Sequence, residues 1–172
     1  MTMRLTFGID PGLSGAVVTL VDGEPGPMLD MPVMAGETHN EVDAVRIAEF
    51  IQEQRRQHAG ASFSAAIERV RAMPAKGRKQ GAQSSMNFGE GFGTVKTTLR
   101  LLRLRFELVE PASWKRRYGL LGTEKDAARV LAMSRFPTAA KDLHRKRDSG
   151  RADALWIALF HEQVHLDMVR AA

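Results

Sequence analysis

Apolar and polar residues divide the chain into short runs and longer periodic stretches. Met3 to Ile9 and Ala16 to Val21 are apolar runs of strand length, and Asp22-Gly23 marks a turn before a short edge strand at Pro27 to Met31. Residues 33 to 41 read as a polar loop. Val42, Val45, Ile47, Phe50 and Ile51 recur at helical spacing, so a helix is predicted over 42–58, stopped by Ala59-Gly60-Ala61. Phe63 to Val70 has the nearly unbroken apolar character of a central strand. Arg71 to Gln83, with Pro74, Gly77 and Gly81, reads as a loop. Ser84 or Ser85 can cap a helix to about Leu102, with Phe88, Phe92, Val95, Leu99 and Leu102 on one face. Gly89, Gly91 and Gly93 lie inside it at roughly 1 kcal/mol each relative to Ala, which points to close approach of another backbone. Phe106 to Val109 is a strand and Pro111 to Tyr118 a short helix or turn. Thr123 to Phe136 is a helix capped by Thr123, Pro137 to Ser149 a basic loop, and Arg151 to Val169 the final helix.

Three meandering strands followed by alternating helices and strands predict an α/β fold. It has a five-stranded mixed sheet, antiparallel then parallel, with helices on both faces. This is the element order of the ribonuclease H-like fold. A length of 172 residues fits one domain spanning the chain. A hydrophobic fraction of 44% with 26% charged residues is that of a soluble globular protein. No apolar run approaches the roughly 20 residues that span a bilayer, and the start of the chain lacks the pattern of a secretory signal. A cytoplasmic protein without membrane contact is expected. With no cysteine, disulfides, thiolate metal sites and cysteine nucleophiles are excluded.

Charge sharpens the picture through its distribution. Lys and Arg total 25 against 20 Asp and Glu. Arg69, Arg71, Lys76, Arg78 and Lys79 lie in a stretch without an acid. Lys115, Arg116 and Arg117 form a second cluster, and Arg145, Lys146 and Arg147, followed by Arg151, a third. Three such clusters make a polyanion footprint, although solvated surface faces would carry the same charges.

Three acids stand apart from this background. Asp10 ends an apolar strand and turns at once through Pro11-Gly12. Glu68 lies near the end of the central strand among Ala, Ile and Val, where a carboxylate is expensive to bury without a partner. A salt bridge to Arg69 or Arg71, or exposure at the strand end, would also account for it. Asp153 is the acid at the start of a very apolar helix, where the helix dipole alone would favour it. Two strand ends and one helix start can converge on one point. Such convergence suits magnesium, a hard cation with oxygen ligands.

In this setting Gly8-Ile9-Asp10-Pro11-Gly12, Ile67-Glu68 before a basic loop, and Ala152-Asp153-Ala154-Leu155 resemble the RuvC-like Holliday-junction resolvases. Trp114-Lys115-Arg116 and Gly122-Thr123-Glu124-Lys125-Asp126 fit two further segments of that family, so the likeness runs from about residue 4 to 160. The resemblance implies a homodimer that binds four-way DNA junctions and nicks two opposing strands symmetrically. It implies two Mg2+ or Mn2+ ions per site, held by Asp10, Glu68 and Asp153. A fourth acid normally lies three residues before the last aspartate; here that position is Gly150. Asp148 is the nearest substitute, as a metal ligand in a loop or as a helix cap, and on a continuous helix it would lie about 140° away from Asp153. His144 is another substitute. The family's aromatic residue three positions after the glutamate is replaced by Arg71, and the helix from Ser85 to Leu102 resembles the family's dimer helix, although ordinary core packing would account for its apolar face as well. Small size and these departures point toward a virus-encoded form.

On this reading Lys115 and Lys125 stabilise charge on the scissile phosphate. The basic clusters hold the junction arms without reading sequence. The competing readings are a non-catalytic branched-DNA-binding protein and a broader debranching nuclease or ribonuclease on the same fold. An actin-like ATPase would need a second similar domain, for which the length leaves no room.

Overall fold

The computed structural model describes residues 2–69 and 82–171. Strands β1 (Arg4–Asp10), β2 (Ala16–Val21) and β3 (Glu24–Asp30) form an antiparallel meander. Asp22 (φ 48°) and Gly23 (φ 89°) supply the two left-handed residues of the tight turn between β2 and β3. Two short strands follow, β4 (Val33–Ala35) and β5 (Asn40–Val42), which pair with each other. The polar-loop reading of 33–41 is corrected here. Strands of three residues, with only Val42 of the six buried, are too short to carry an alternation from which to read them.

Helix α1 (Ala44–Gln57) is capped by the Asp43 carboxylate, which accepts from the amides of Val45 and Arg46. Strand β6 (Ser62–Glu68) and strand β7 (Phe106–Val109) then add in parallel, giving a sheet of order β3-β2-β1-β6-β7. The loop read over 71–83 lies outside the described residues as far as 81, and Val70 does too; from Ala82 the chain is helix. Helix α2 (Ala82–Leu101) therefore contains Ser84 and Ser85 within its first turn, so neither is its cap. Of its three glycines, only Gly91 is tight, with Val42 Cγ2 at 3.1 Å from where its Cβ would be. Among the described residues of the chain, Gly89 and Gly93 meet nothing within 4 Å.

Helix α3 (Pro111–Arg117) precedes α4 (Ala127–Arg135), which starts four residues later than Thr123 predicts. The Thr123 hydroxyl donates to the Leu120 carbonyl at 2.9 Å, and Asp126 takes the cap position. Pro137–Asp142 and Lys146–Asp148 are 3-10 turns rather than irregular loop. The buried Arg129 pins them, donating to the carbonyls of Leu143 and His144 while Asp126 holds its other edge at 2.7 Å. Helix α5 (Ser149–Ala171) closes the chain. Among the described residues no helix is long and apolar enough to cross a membrane.

The sheet separates two apolar clusters. Leu5, Phe7, Ile9, Ala65 and Ile67 face α1 and α2, where Ile47, Ile51, Val95 and Leu99 meet them. Ala66 and Val109 face the other way, against Leu155, Ala158 and Leu159 of α5 and Trp114 of α3. Strand alternation therefore turns Gly8 and Asp10 of β1, and Glu68 of β6, toward the α5 face. Helix α5 lies hard on β1: a Cβ at Gly8 would sit 1.9 Å from the Ala154 carbonyl oxygen and 2.7 Å from Ala158 Cβ.

Gly8→Ala must push helix and strand apart. We expect a loss of at least about 2–3 kcal/mol in urea unfolding. A change below about 0.5 kcal/mol, the range of neutral surface substitutions, would contradict this contact.

Candidate active site

Asp10 is the last residue of β1, one step beyond the Ile9–Ile67 pair with β6, so Asp10 and Glu68 end neighbouring strands. The chain after Asp10 doubles back at once, with the Gly15 amide donating to the Gly12 carbonyl at 2.8 Å. A Cβ at Gly15 would lie 2.1 Å from the Asp10 carbonyl oxygen. The same loop abuts the start of α5: a Cβ at Gly150 would be 2.4 Å from the Ser14 carbonyl oxygen and 2.8 Å from Gly15 Cα. This contact explains the glycine at the position where the resemblance leads one to expect an acid. The loop that carries Asp10 occupies the space a side chain would need.

One turn further along α5, Asp153 joins Asp10 and Glu68. Burial is the main reason the Asp10 carboxyl rises from its ordinary 3.8 to about 7, with the charges of Glu68 and Asp153 adding to it. Burial, then Glu68, raises Asp153 to about 6. Glu68 is also raised by burial, against the opposing effects of Trp114 and Lys115. Trp114 is fully buried, and its indole Nε1 donates to Glu68 Oε1 at 3.0 Å, which fixes that carboxylate. Lys115 acts on all three acids, with its Nζ 5.1 Å from the centre of the Trp114 ring, and Lys125 acts on Asp153.

The cluster is thus half-buried and anionic, with two lysines as its resolved counter-charges. Its donors are all carboxylate oxygens, the set a hard divalent cation takes. The oxygens do not all come within 4.8 Å of one another; among the described residues only Glu107, His161 and His165, at the other end of α5, form such a metal-binding group. Mutual repulsion among uncompensated carboxylates favours this wider spacing. A site for two ions about 3.5–4 Å apart also spreads its ligands.

The remaining candidates fall elsewhere. The Asp148 carboxylate is 1% exposed and accepts from the Arg145 amide at 2.8 Å and from its guanidinium at 2.7 Å, which holds its pKa below the ordinary range. Asp148 precedes α5, as a cap would, but its oxygens close the turn back to Arg145. The His144 ring is exposed, with Nδ1 2.6 Å from the Lys141 carbonyl oxygen. Several predicted DNA-contacting cations already hold acids: Arg69 pairs with Glu110 at 2.9 Å, Arg117 with Asp167 at 2.9 Å, and Arg151 with Asp30. Arg116, Lys146 and Arg147 are exposed. Arg71, Lys76, Arg78 and Lys79 lie outside the described residues. A groove of about 710 Å³ runs beside the Asp10 loop, lined by Gly12, Ser14, Gln83, Asn87 and Phe88.

Two features escaped the sequence. Trp114 as the partner of Glu68 had no signal beyond its place next to Lys115. The second is the His161-x-x-x-His165 pair, whose spacing is the signal that sets two imidazoles on one helix face.

No protein-family model and no curated protein matches the sequence. Among solved structures, the chain is similar to Thermus thermophilus RuvC in complex with a Holliday junction substrate. That match has a TM-score of 0.58 and 17% identity over 94% of each chain. A second Thermus thermophilus RuvC structure aligns with a TM-score of 0.49 and 19% identity over 92% of this chain and 93% of that one. The first of these likenesses shows a shared fold, and the resemblance drawn from the motifs is matched at that level.

Raised carboxyl pKa values have a direct consequence. Folded Asp10 and Asp153 keep protons that the unfolded chain releases above pH 3.8, so their contribution to stability falls as pH rises toward about 7 and stays low beyond it. At about 1.4 kcal/mol per pKa unit, Asp10→Asn should stabilise the metal-free protein at pH 8 by about 2–4 kcal/mol, and should gain nothing at pH 4. Urea midpoints of both proteins in chelator, at the two pH values, measure this. Equal midpoints at pH 8 would contradict the electrostatic account.

Proposed function

We propose that this chain is a structure-selective endonuclease that resolves four-way DNA junctions by metal-assisted phosphodiester hydrolysis. The observation that carries the reading is the set of three half-buried carboxylates at adjoining strand and helix ends, balanced by lysines, on a fold shared with a RuvC solved on a Holliday junction. Asp10, Glu68 and Asp153 would hold the divalent ions, two Mg2+ or Mn2+ per site. Such ions, when bound, supply an activated water and neutralise the leaving oxygen.

The chain's own groups divide the remaining work. Trp114 holds Glu68 in one orientation. Lys115, whose charge acts on all three acids, would stabilise charge on a phosphate drawn to the cluster, and Lys125 would assist beside Asp153. The groove beside the Asp10 loop offers Asn87 and Gln83 for polar contacts and the partly exposed Phe88 for a base to stack on. Arg116, Lys146 and Arg147 would track the DNA backbone, together with Arg71, Lys76, Arg78 and Lys79. Arg69, Arg117, Arg145 and Arg151 would need phosphate to displace a carboxylate first, so their share is smaller. Asp148, held by Arg145, drops out of the proposed ligand set.

Two opposed active sites are needed for paired nicks, and a homodimer supplies them. Helix α2 exposes Met86 at 70%, and Gly89 and Gly93 face open space, a surface on which a second copy can pack. One observation favours a second reading, a non-catalytic branched-DNA-binding protein: Gly150 leaves no room for a fourth acid.

Cleavage of a synthetic mobile four-way junction in Mg2+ separates the two. We expect paired nicks on opposing strands from the wild type. Asp10→Asn should cut at least about 100-fold more slowly with junction binding retained, and Lys115→Ala should lose about 10–100-fold. Binding without cutting by the wild type would favour the second reading, and near-normal cutting by Asp10→Asn would refute the site.

A further inference from the structure

The far end of α5 carries a second group of ligating side chains, remote from the carboxylates. Asp153 to His161 is eight residues and Asp153 to His165 twelve, about 12 and 18 Å along a helix axis. His161 and His165 are one turn apart on the same face, with ring centres 4.4 Å from each other. Glu107, the second residue of β7, reaches toward both. Its Oε2 is 3.4 Å from His161 Nδ1 and its Oε1 is 3.2 Å from His165 Nε2. One ligand atom from each of the three lies within 4.8 Å of the others.

We propose that Glu107, His161 and His165 bind one transition-metal ion of the zinc class. The spacing fits: a tetrahedral site with bonds of about 2.0–2.1 Å has ligand-to-ligand edges of about 3.3–3.4 Å. Two imidazoles and a carboxylate are the borderline N,N,O set that zinc accepts and magnesium does not favour. The carboxylate cluster at the other end of α5 has the opposite preference.

A pair of ordinary histidine–glutamate contacts would leave one fact unexplained. His161 is only 3% exposed, yet the one contact its Nδ1 makes among the described residues, to Glu107 at 3.4 Å, is long for a hydrogen bond. A buried imidazole is normally satisfied at its nitrogens. An ion taking one nitrogen supplies a strong partner where the protein offers a weak one. Room for a fourth ligand exists, because the three residues line a cavity of about 680 Å³ bounded also by Thr6, Ser64 and Phe106. Arg4, on the same cavity, has its guanidinium on Glu162 at 3.0 Å and so leaves the cluster to a cation. Bound there, the ion ties edge strand β7 to α5.

Cobalt(II) titration of the whole protein tests this, since tetrahedral Co2+ absorbs visible light far more strongly than Co2+ in an octahedral oxygen site. We expect one equivalent with intense absorption, displaced by Zn2+. It should be retained in Asp10→Asn, which disables the carboxylate cluster. Glu107 and His165 are 56% and 46% exposed, so Glu107→Gln and His165→Ala should fold, as urea midpoints of the metal-free variants verify. Each should lower Zn2+ affinity at least about 100-fold, beyond the range seen for outer-shell partners. No Zn2+ binding by the wild type would overturn the proposal. So would binding that Asp10→Asn abolishes and His165→Ala leaves intact. Neither result bears on junction cleavage, which the carboxylates would carry.

Discussion

The close approach of α5 to β1 is the constraint on which the rest of the structure depends. Position 8 has no side chain, and the Ala154 carbonyl occupies the place a Cβ would take. Position 150 has none either, and the Ser14 carbonyl fills that space. These two contacts set the height of the helix over the sheet and its position along the strand. Asp153 is thereby carried to the ends of β1 and β6, where Asp10 and Glu68 already point by strand alternation. The same geometry that forms the cluster removes a fourth acid from it.

Placing three carboxylates together under partial burial works against folding. Desolvation is the largest cause of the raised pKa at each of them, and mutual repulsion adds to it at Asp10 and Asp153. A structural ion pair would have balanced the charge locally, as Arg145 does for Asp148 and Arg129 for Asp126. Among the described residues the compensation at this cluster is incomplete: Lys115 and Lys125 act at a distance, and Trp114 satisfies one oxygen. Such electrostatic strain, with the acids at Asp148 and Asp126 paired, is the observation on which the proposed site rests.

Much of this was legible in the sequence because it is local. Apolar runs ending in Asp10 and Glu68, and an apolar helix with Asp153 in its first turns, give both the element order and the acids. What was not legible depends on pairs distant in sequence or on elements too short to show a period. Trp114 finds Glu68 across 46 positions. The three-residue strands β4 and β5 are too short to show a hydrophobic alternation. Thr123 has the residue type of a cap, but Asp126, three residues nearer the apolar stretch and paired with Arg129, sets the start of α4. The glycine in place of an acid at 150 could be seen but not explained, since its cause is the backbone of residues 14 and 15. Arg117, Arg145 and Arg151 counted as free positive charge until their carboxylate partners were placed.

The central claim is that Asp10, Glu68 and Asp153 form one electrostatic unit that a divalent cation completes. Carboxyl-carbon NMR titration tests it most directly. In metal-free protein Asp10 should titrate near pH 7 and Asp153 near pH 6. Both midpoints should fall sharply on adding Mg2+. Ordinary carboxyl midpoints at Asp10 and Asp153, indifferent to Mg2+, would contradict the account.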